Sequence, residues 1–99
     1  MAIEVIELKN RLDNNESLNL LDVREGFEVE EFNIGGKHIP LGELPHKVSE
    51  LDNLKSEEII VYCRSGNRSG QAKMFLQDAG FNNVKNLTGG MMAWQANFE

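Results

Sequence analysis

The chain has one cysteine, one tryptophan, one tyrosine, two histidines and two prolines among its 99 residues. A single cysteine excludes an internal disulfide and a cysteine-rich zinc site. It also excludes a relay through a second, resolving cysteine in this chain. The two histidines, His38 and His46, are separated by Pro40, so they form no helical metal pair and are expected at turns or the surface. Positive charge is scarce: 10 Lys and Arg stand against 16 Asp and Glu, for a net charge of −6. That balance lacks the basic face that nucleic-acid binding needs. Long apolar runs are missing too. The longest clean run, Ile59 to Cys63, is far too short to span a bilayer. The N-terminal Met1-Ala2-Ile3-Glu4-Val5-Ile6-Glu7 carries acids where a signal peptide needs basic residues. No glycine-rich dinucleotide fingerprint and no phosphate-binding lysine loop occur. These absences predict one soluble, cytoplasmic domain over residues 1–99, with no membrane partner, no nucleic-acid partner, no metal and no organic cofactor.

What is present is an alternation of strand and helix signals. Glu4 to Ile6 reads as a short strand. Ile6, Leu8 and Leu12 start a short helix that Asp13-Asn14-Asn15 ends. Leu18 to Val23 is a second strand, and Asn33 to Ile39 a loop holding a third, interrupted by Gly35-Gly36. Leu41, Leu44, Val48, Leu51 and Leu54 recur at helical spacing and predict one amphipathic helix. Glu58 to Tyr62 is the most buried strand candidate. Ala72, Phe75, Leu76 and Ala79 line a helix that Gly80 stops. Asn83 to Leu87 is a last strand, and Met92, Ala93, Trp94 and Ala96 suggest a closing helix. This order predicts an α/β fold, a central and mainly parallel sheet flanked by helices. Sites in such sheets form beyond the carboxyl ends of the strands, where Cys63 and Asp22 both lie. Acids cluster at Glu25, Glu28, Glu30 and Glu31, as a solvated face or, on a sharper reading, a docking patch.

The segment that points to chemistry is Cys63-Arg64-Ser65-Gly66-Asn67-Arg68-Ser69. A strand ends in the only cysteine, a short loop follows, and a helix begins at once. Backbone N–H groups and the positive end of the helix converge there. Arg64 and Arg68 add full charges, Gly66 permits an unusual backbone angle, and Ser65 and Ser69 offer hydroxyls, Ser69 also as a helix cap. Such a nest stabilises a thiolate or persulfide, and the reactive thiol is expected in an electropositive, partly exposed setting. The plainer reading of Cys63 is a small buried hydrophobe, but its polar neighbours make poor core lining.

These residues resemble the active-site loop of rhodanese-like domains, and the resemblance runs over nearly the whole chain. Leu20-Leu21-Asp22-Val23-Arg24-Glu25, Ile39-Pro40-Leu41-Gly42-Glu43-Leu44, Ala79-Gly80-Phe81-Asn82-Asn83-Val84 and Leu87-Thr88-Gly89-Gly90 with Trp94 are similar to further family motifs, in order. The resemblance implies a thiosulfate sulfurtransferase-like enzyme that moves sulfane sulfur. Cys63 is then the nucleophile and becomes a persulfide, with no other cofactor. The loop amides and Arg68 hold the anionic part of a donor such as thiosulfate, Arg64 faces the mouth, and Asp22 and Arg24 brace the loop. The acceptor is a thiol or a sulfur-carrier protein. The stretch Glu31-Phe32-Asn33-Ile34-Gly35-Gly36 departs from the Gly-His-Ile pattern common in the family.

Two other functions compete. One is a non-enzymatic persulfide carrier or docking module in a sulfur relay, which the intact loop also fits. The other is a cysteine phosphatase or arsenate reductase. Those loops place five residues between Cys and Arg, whereas four separate Cys63 from Arg68, and no nearby Asp supplies a general acid.

Overall fold

The computed structural model describes residues 1–98; Glu99, the last residue of the expected domain, lies outside the described residues. Five parallel strands form one sheet in the order β1-β5-β4-β2-β3, from β1 (Ala2–Ile3), β2 (Asn19–Asp22), β3 (Lys37–His38), β4 (Glu58–Tyr62) and β5 (Asn83–Leu87). The helices are α1 (Val5–Asp13), α2 (Gly26–Glu31), α3 (Leu44–Lys47), α4 (Asn67–Asp78) and α5 (Gly90–Phe98).

β4 sits at the middle of the sheet because it is apolar on both faces. Ile59, Val61 and Cys63 point into one core, with Leu44 of α3, Leu51, and Ala72 and Leu76 of α4. Ile60 and Tyr62 point into the other, with Val5 and Leu8 of α1 and Met91 and Trp94 of α5. Side chains alternate between the two sides as the strand pleat requires. The register pairs Asn19 with Ile59 and Asp22 with Tyr62, so β2 and β4 end level. The chain leaving β4 enters α4 on one face, whereas the chain leaving β2 places Phe32 and Ile34 against the other. Diverging exits from neighbouring parallel strands open a crevice at their carboxyl ends.

Two local expectations are corrected, and a third is refined. The first strand is Ala2–Ile3 rather than Glu4 to Ile6. Helix α1 already begins at Val5, burying Val5 and Leu8 and leaving Ile6 exposed. The amphipathic helix expected from Leu41 to Leu54 is broken into a 3-10 turn (Leu41–Glu43), α3 and a 3-10 stretch (Val48–Leu54). Pro45 has no N–H to donate to an upstream carbonyl, so a continuous helix cannot run through it. In the acidic cluster, Glu25, Glu30 and Glu31 are exposed as a solvated face requires, and only Glu28 is half-buried; Gly26–Glu31 is helix α2, with the N–H of Glu25 donating to Glu28 Oε1 at 3.1 Å. Among the described residues, no helix is long and apolar enough to cross a membrane.

Candidate active site

Cys63 follows β4 in register with Ile59 and Val61, so its side chain is directed under the start of α4. It is 1% exposed, which corrects the expectation of a partly exposed thiol: the loop of residues 64–69 closes over it. The Sγ atom accepts hydrogen bonds from the N–H of Gly66 at 3.1 Å, the N–H of Ser69 at 3.4 Å and the hydroxyl of Ser69 at 3.3 Å. Gly66 reaches this position with φ +107° as the residue before α4, a left-handed conformation that favours glycine. Burial pushes the thiol up. The Ser69 hydroxyl and the N–H groups of Ser69, Gly66 and Ser65 outweigh it, so Cys63 lies below the ordinary thiol range. The loop thus aims its amides at sulfur.

Ser69 is in turn held from β5. Its hydroxyl lies 2.6 Å from Asn86 Oδ1, and Asn86 Nδ2 donates to the Gly66 carbonyl at 3.1 Å. Nothing in the Cys63 loop motif announces Asn86. The one signal is an asparagine within a strand, where that residue is disfavoured. The other wall is the start of α5. The N–H groups of Met91 and Met92 donate to the carbonyls of Cys63 and Arg64, both at 2.9 Å. Gly90 makes this approach possible: a Cβ there would lie 2.3 Å from the Cys63 carbonyl oxygen.

The arginines divide. Arg68 donates to both carboxylate oxygens of Glu28, at 2.6 Å and 2.8 Å. That pairing, and the backbone bond from Glu25, draw the Glu28 carboxyl down to about 2. Glu28 was legible only as one acid of a cluster, although a glutamate three residues beyond a helix start is a capping signal. Arg24 and Asp22 form a buried ion pair at 2.8 Å, with side chains 4% and 2% exposed. Arg24 also donates to the carbonyls of Phe32 at 2.7 Å and Glu28 at 3.3 Å. The pair therefore braces α2 and the chain after it, and it reaches the Cys63 loop through Glu28 and Arg68 and through the Tyr62 ring, over which the Arg24 guanidinium lies at 5.6 Å. The Nε2–H of His38 completes this corner by donating to the Arg24 carbonyl at 2.7 Å.

Arg64 lines a cleft of about 460 Å³ beside the loop, with Phe27, Phe32 and Met91 as its apolar lining and Arg24, Glu28, Glu31 and Gln95 as its polar lining. Ser65 and Asn67 belong to the loop backbone that turns into α4. Among the described residues, no group of His, Cys, Asp and Glu converges as metal ligands would.

The rhodanese-like domain family model matches residues 4–97. The chain belongs to that family. This rhodanese-like domain is 43% identical over 94 residues to YtwF of Bacillus subtilis, named as a sulfurtransferase, covering 94% of this chain and 88% of the relative. It is 41% identical over 98 residues to YrkF of the same organism, named as a sulfur carrier protein; there it covers 98% of this chain but spans only 52% of the relative's length. The crystal structure of a rhodanese-like domain protein from Staphylococcus aureus superposes with a TM-score of 0.84 at 30% identity, covering 94% of this chain and 89% of that one. Relatives of this domain are thus named for handling sulfur.

Proposed function

We propose that this domain transfers sulfane sulfur through a persulfide on Cys63. The observation that carries the reading is the direction of the loop's donors: three hydrogen bonds converge on Sγ itself. A phosphate-binding loop would aim its amides at an anion beyond the sulfur. The Cys63 thiolate attacks the outer sulfur of a donor. With a persulfide donor R–S–S⁻, a new S–S bond forms at Cys63, the donor S–S bond breaks, and R–S⁻ leaves with the electron pair. With thiosulfate the leaving group is sulfite. A thiol acceptor then removes the sulfur by the same exchange in reverse. The buried donors stabilise negative charge on the resident sulfur without rearranging, which is the advantage of a preorganised polar site.

The donor is thiosulfate or a protein persulfide, and the acceptor a thiol or a sulfur-carrier protein. The name of YrkF supports a sulfur-carrier setting. A second reading, a carrier module that stores sulfur and passes it on within a relay, is supported by the naming of YrkF as a sulfur carrier protein. Intact-protein mass spectrometry after incubation with thiosulfate, then cyanide, tests the proposal. One added sulfur, lost to cyanide as thiocyanate and absent from a folded Cys63→Ser variant, is expected. Sulfur uptake by that variant would defeat the mechanism. Uptake only from a protein persulfide would favour the relay.

A further inference from the structure

One guanidinium of the Cys63 loop is already engaged. Arg68 directly precedes Ser69, whose N–H and hydroxyl donate to Cys63 Sγ, and its charge is held first by Glu28. Its two terminal nitrogens both bond the Glu28 carboxylate. That carboxylate is only 14% exposed and also accepts the Glu25 N–H. Its position therefore belongs to the start of α2 rather than to a freely swinging side chain.

The rest of the cleft adds no surplus of positive charge. Arg24 is matched by buried Asp22. Arg64 has no carboxylate partner among the described residues, but Glu31 shares its cleft. Around the loop and its cleft, the guanidiniums of Arg24, Arg64 and Arg68 are thus matched or outnumbered by the carboxylates of Asp22, Glu25, Glu28 and Glu31. A dianion leaving water for such a site needs compensating charge. It must either displace Glu28 from Arg68 or lie beside the carboxylate. A persulfide attached to carbon carries at most one negative charge, and its chain can rest on Phe27, Phe32 and Met91.

Taking sulfur transfer through Cys63 as the working function, we infer that Glu28 biases the donor class: by engaging Arg68 it weakens the binding of divalent sulfur oxyanions such as thiosulfate relative to monoanionic persulfides. The bond changes are those of the persulfide exchange above, with R–S⁻ as the leaving group. Glu28 is a specificity residue that acts through Arg68, not a group that reacts.

The test separates this inference from the transfer reaction. In a Cys63→Ser background no sulfur can move, so titration calorimetry with inorganic thiosulfate reads binding alone. Adding Glu28→Gln is expected to tighten thiosulfate binding by about tenfold, as a charge-assisted fork becomes free. Adding Glu30→Gln, the same charge change at an exposed position of α2, is expected to alter it by less than about twofold because solvent screens it. In the intact-cysteine protein, Glu28→Gln should raise the rate of loading from thiosulfate relative to that from a low-molecular-weight alkyl persulfide. Unchanged or weaker thiosulfate binding in Glu28→Gln, or an equal gain from Glu30→Gln, overturns the inference. If the affinity shift appears but the intact protein loads from neither donor, the transfer reading fails and the role of Glu28 in anion selection stands. Circular dichroism checks folding, and Glu28→Ala replaces the glutamine variant if that one unfolds.

Discussion

Replacing Ser69 with alanine removes one proton from the site, and the structure says where that proton acts. The single hydroxyl hydrogen faces two acceptors, Cys63 Sγ at 3.3 Å and Asn86 Oδ1 at 2.6 Å. When Cys63 is a thiol, its S–H can point to the serine oxygen while the hydroxyl serves Asn86. When Cys63 ionises, the hydroxyl turns to the charged sulfur. Hydrogen bonds to charged groups contribute about 1.5–3 kcal/mol, and about 1.4 kcal/mol is a factor of ten. Ser69→Ala should therefore lower the thiolate fraction about ten- to a hundredfold at any pH below the midpoint. The sign follows from the folded state: Cys63 is held below the ordinary thiol range in part by this hydroxyl, so its loss moves the midpoint upward. Thiolate ultraviolet absorbance read against pH is the assay. Cys63 is the only cysteine and Tyr62 the only tyrosine, and burial pushes the Tyr62 phenol above its usual range, so the two titrations separate. At high pH the wild-type and variant amplitudes should converge, and circular dichroism shows whether the variant keeps its fold. A midpoint that stays put or falls would refute the reasoning, because the hydroxyl would then remain on Asn86 in both states.

Two further predictions concern the walls of the site. Gly90→Ala places a methyl 2.3 Å from the Cys63 carbonyl oxygen and 2.7 Å from that of Arg64, at φ +54°. Those carbonyls cannot retreat without losing the N–H groups of Met91 and Met92, so a loss of about 2 kcal/mol or more in urea unfolding is expected. A variant as stable as the wild type would show that α5 can shift freely. Asp22→Ala leaves the guanidinium of Arg24 buried without its partner, which should cost about 3–5 kcal/mol. A loss below about 1 kcal/mol in the same measurement, within the range of an exposed pair, would mean that water reaches Arg24.

Much of the fold was legible because local signals agreed with it. The β-branched run Ile59-Ile60-Val61, bounded by a cysteine loop and a helix pattern, defined the central strand. The regular alternation with helices defined a parallel sheet. The failures were local. Val5 starts a helix where a strand was expected, and Pro45 breaks the apolar stripe from Leu41 to Leu54. Both were decided by which backbone N–H groups could be satisfied, a matter the apolar pattern does not report.

The sequence by itself determined the candidate nucleophile of the proposed transfer, since there is only one cysteine, and the loop that surrounds it, since Gly66 and Ser69 act within six residues of Cys63. It could not determine what holds that loop. Glu28 meets Arg68 across a separation of 40 residues, and Asn86 meets Ser69 across 17. These partners come together because β2, β4 and β5 run parallel, with β4 between the other two, and their carboxyl ends lie at the same edge. Register and strand order, not the spacing of residues along the chain, decided that an acid from a charged helix would occupy Arg68 of the Cys63 loop and that an asparagine from β5 would share the proton of Ser69.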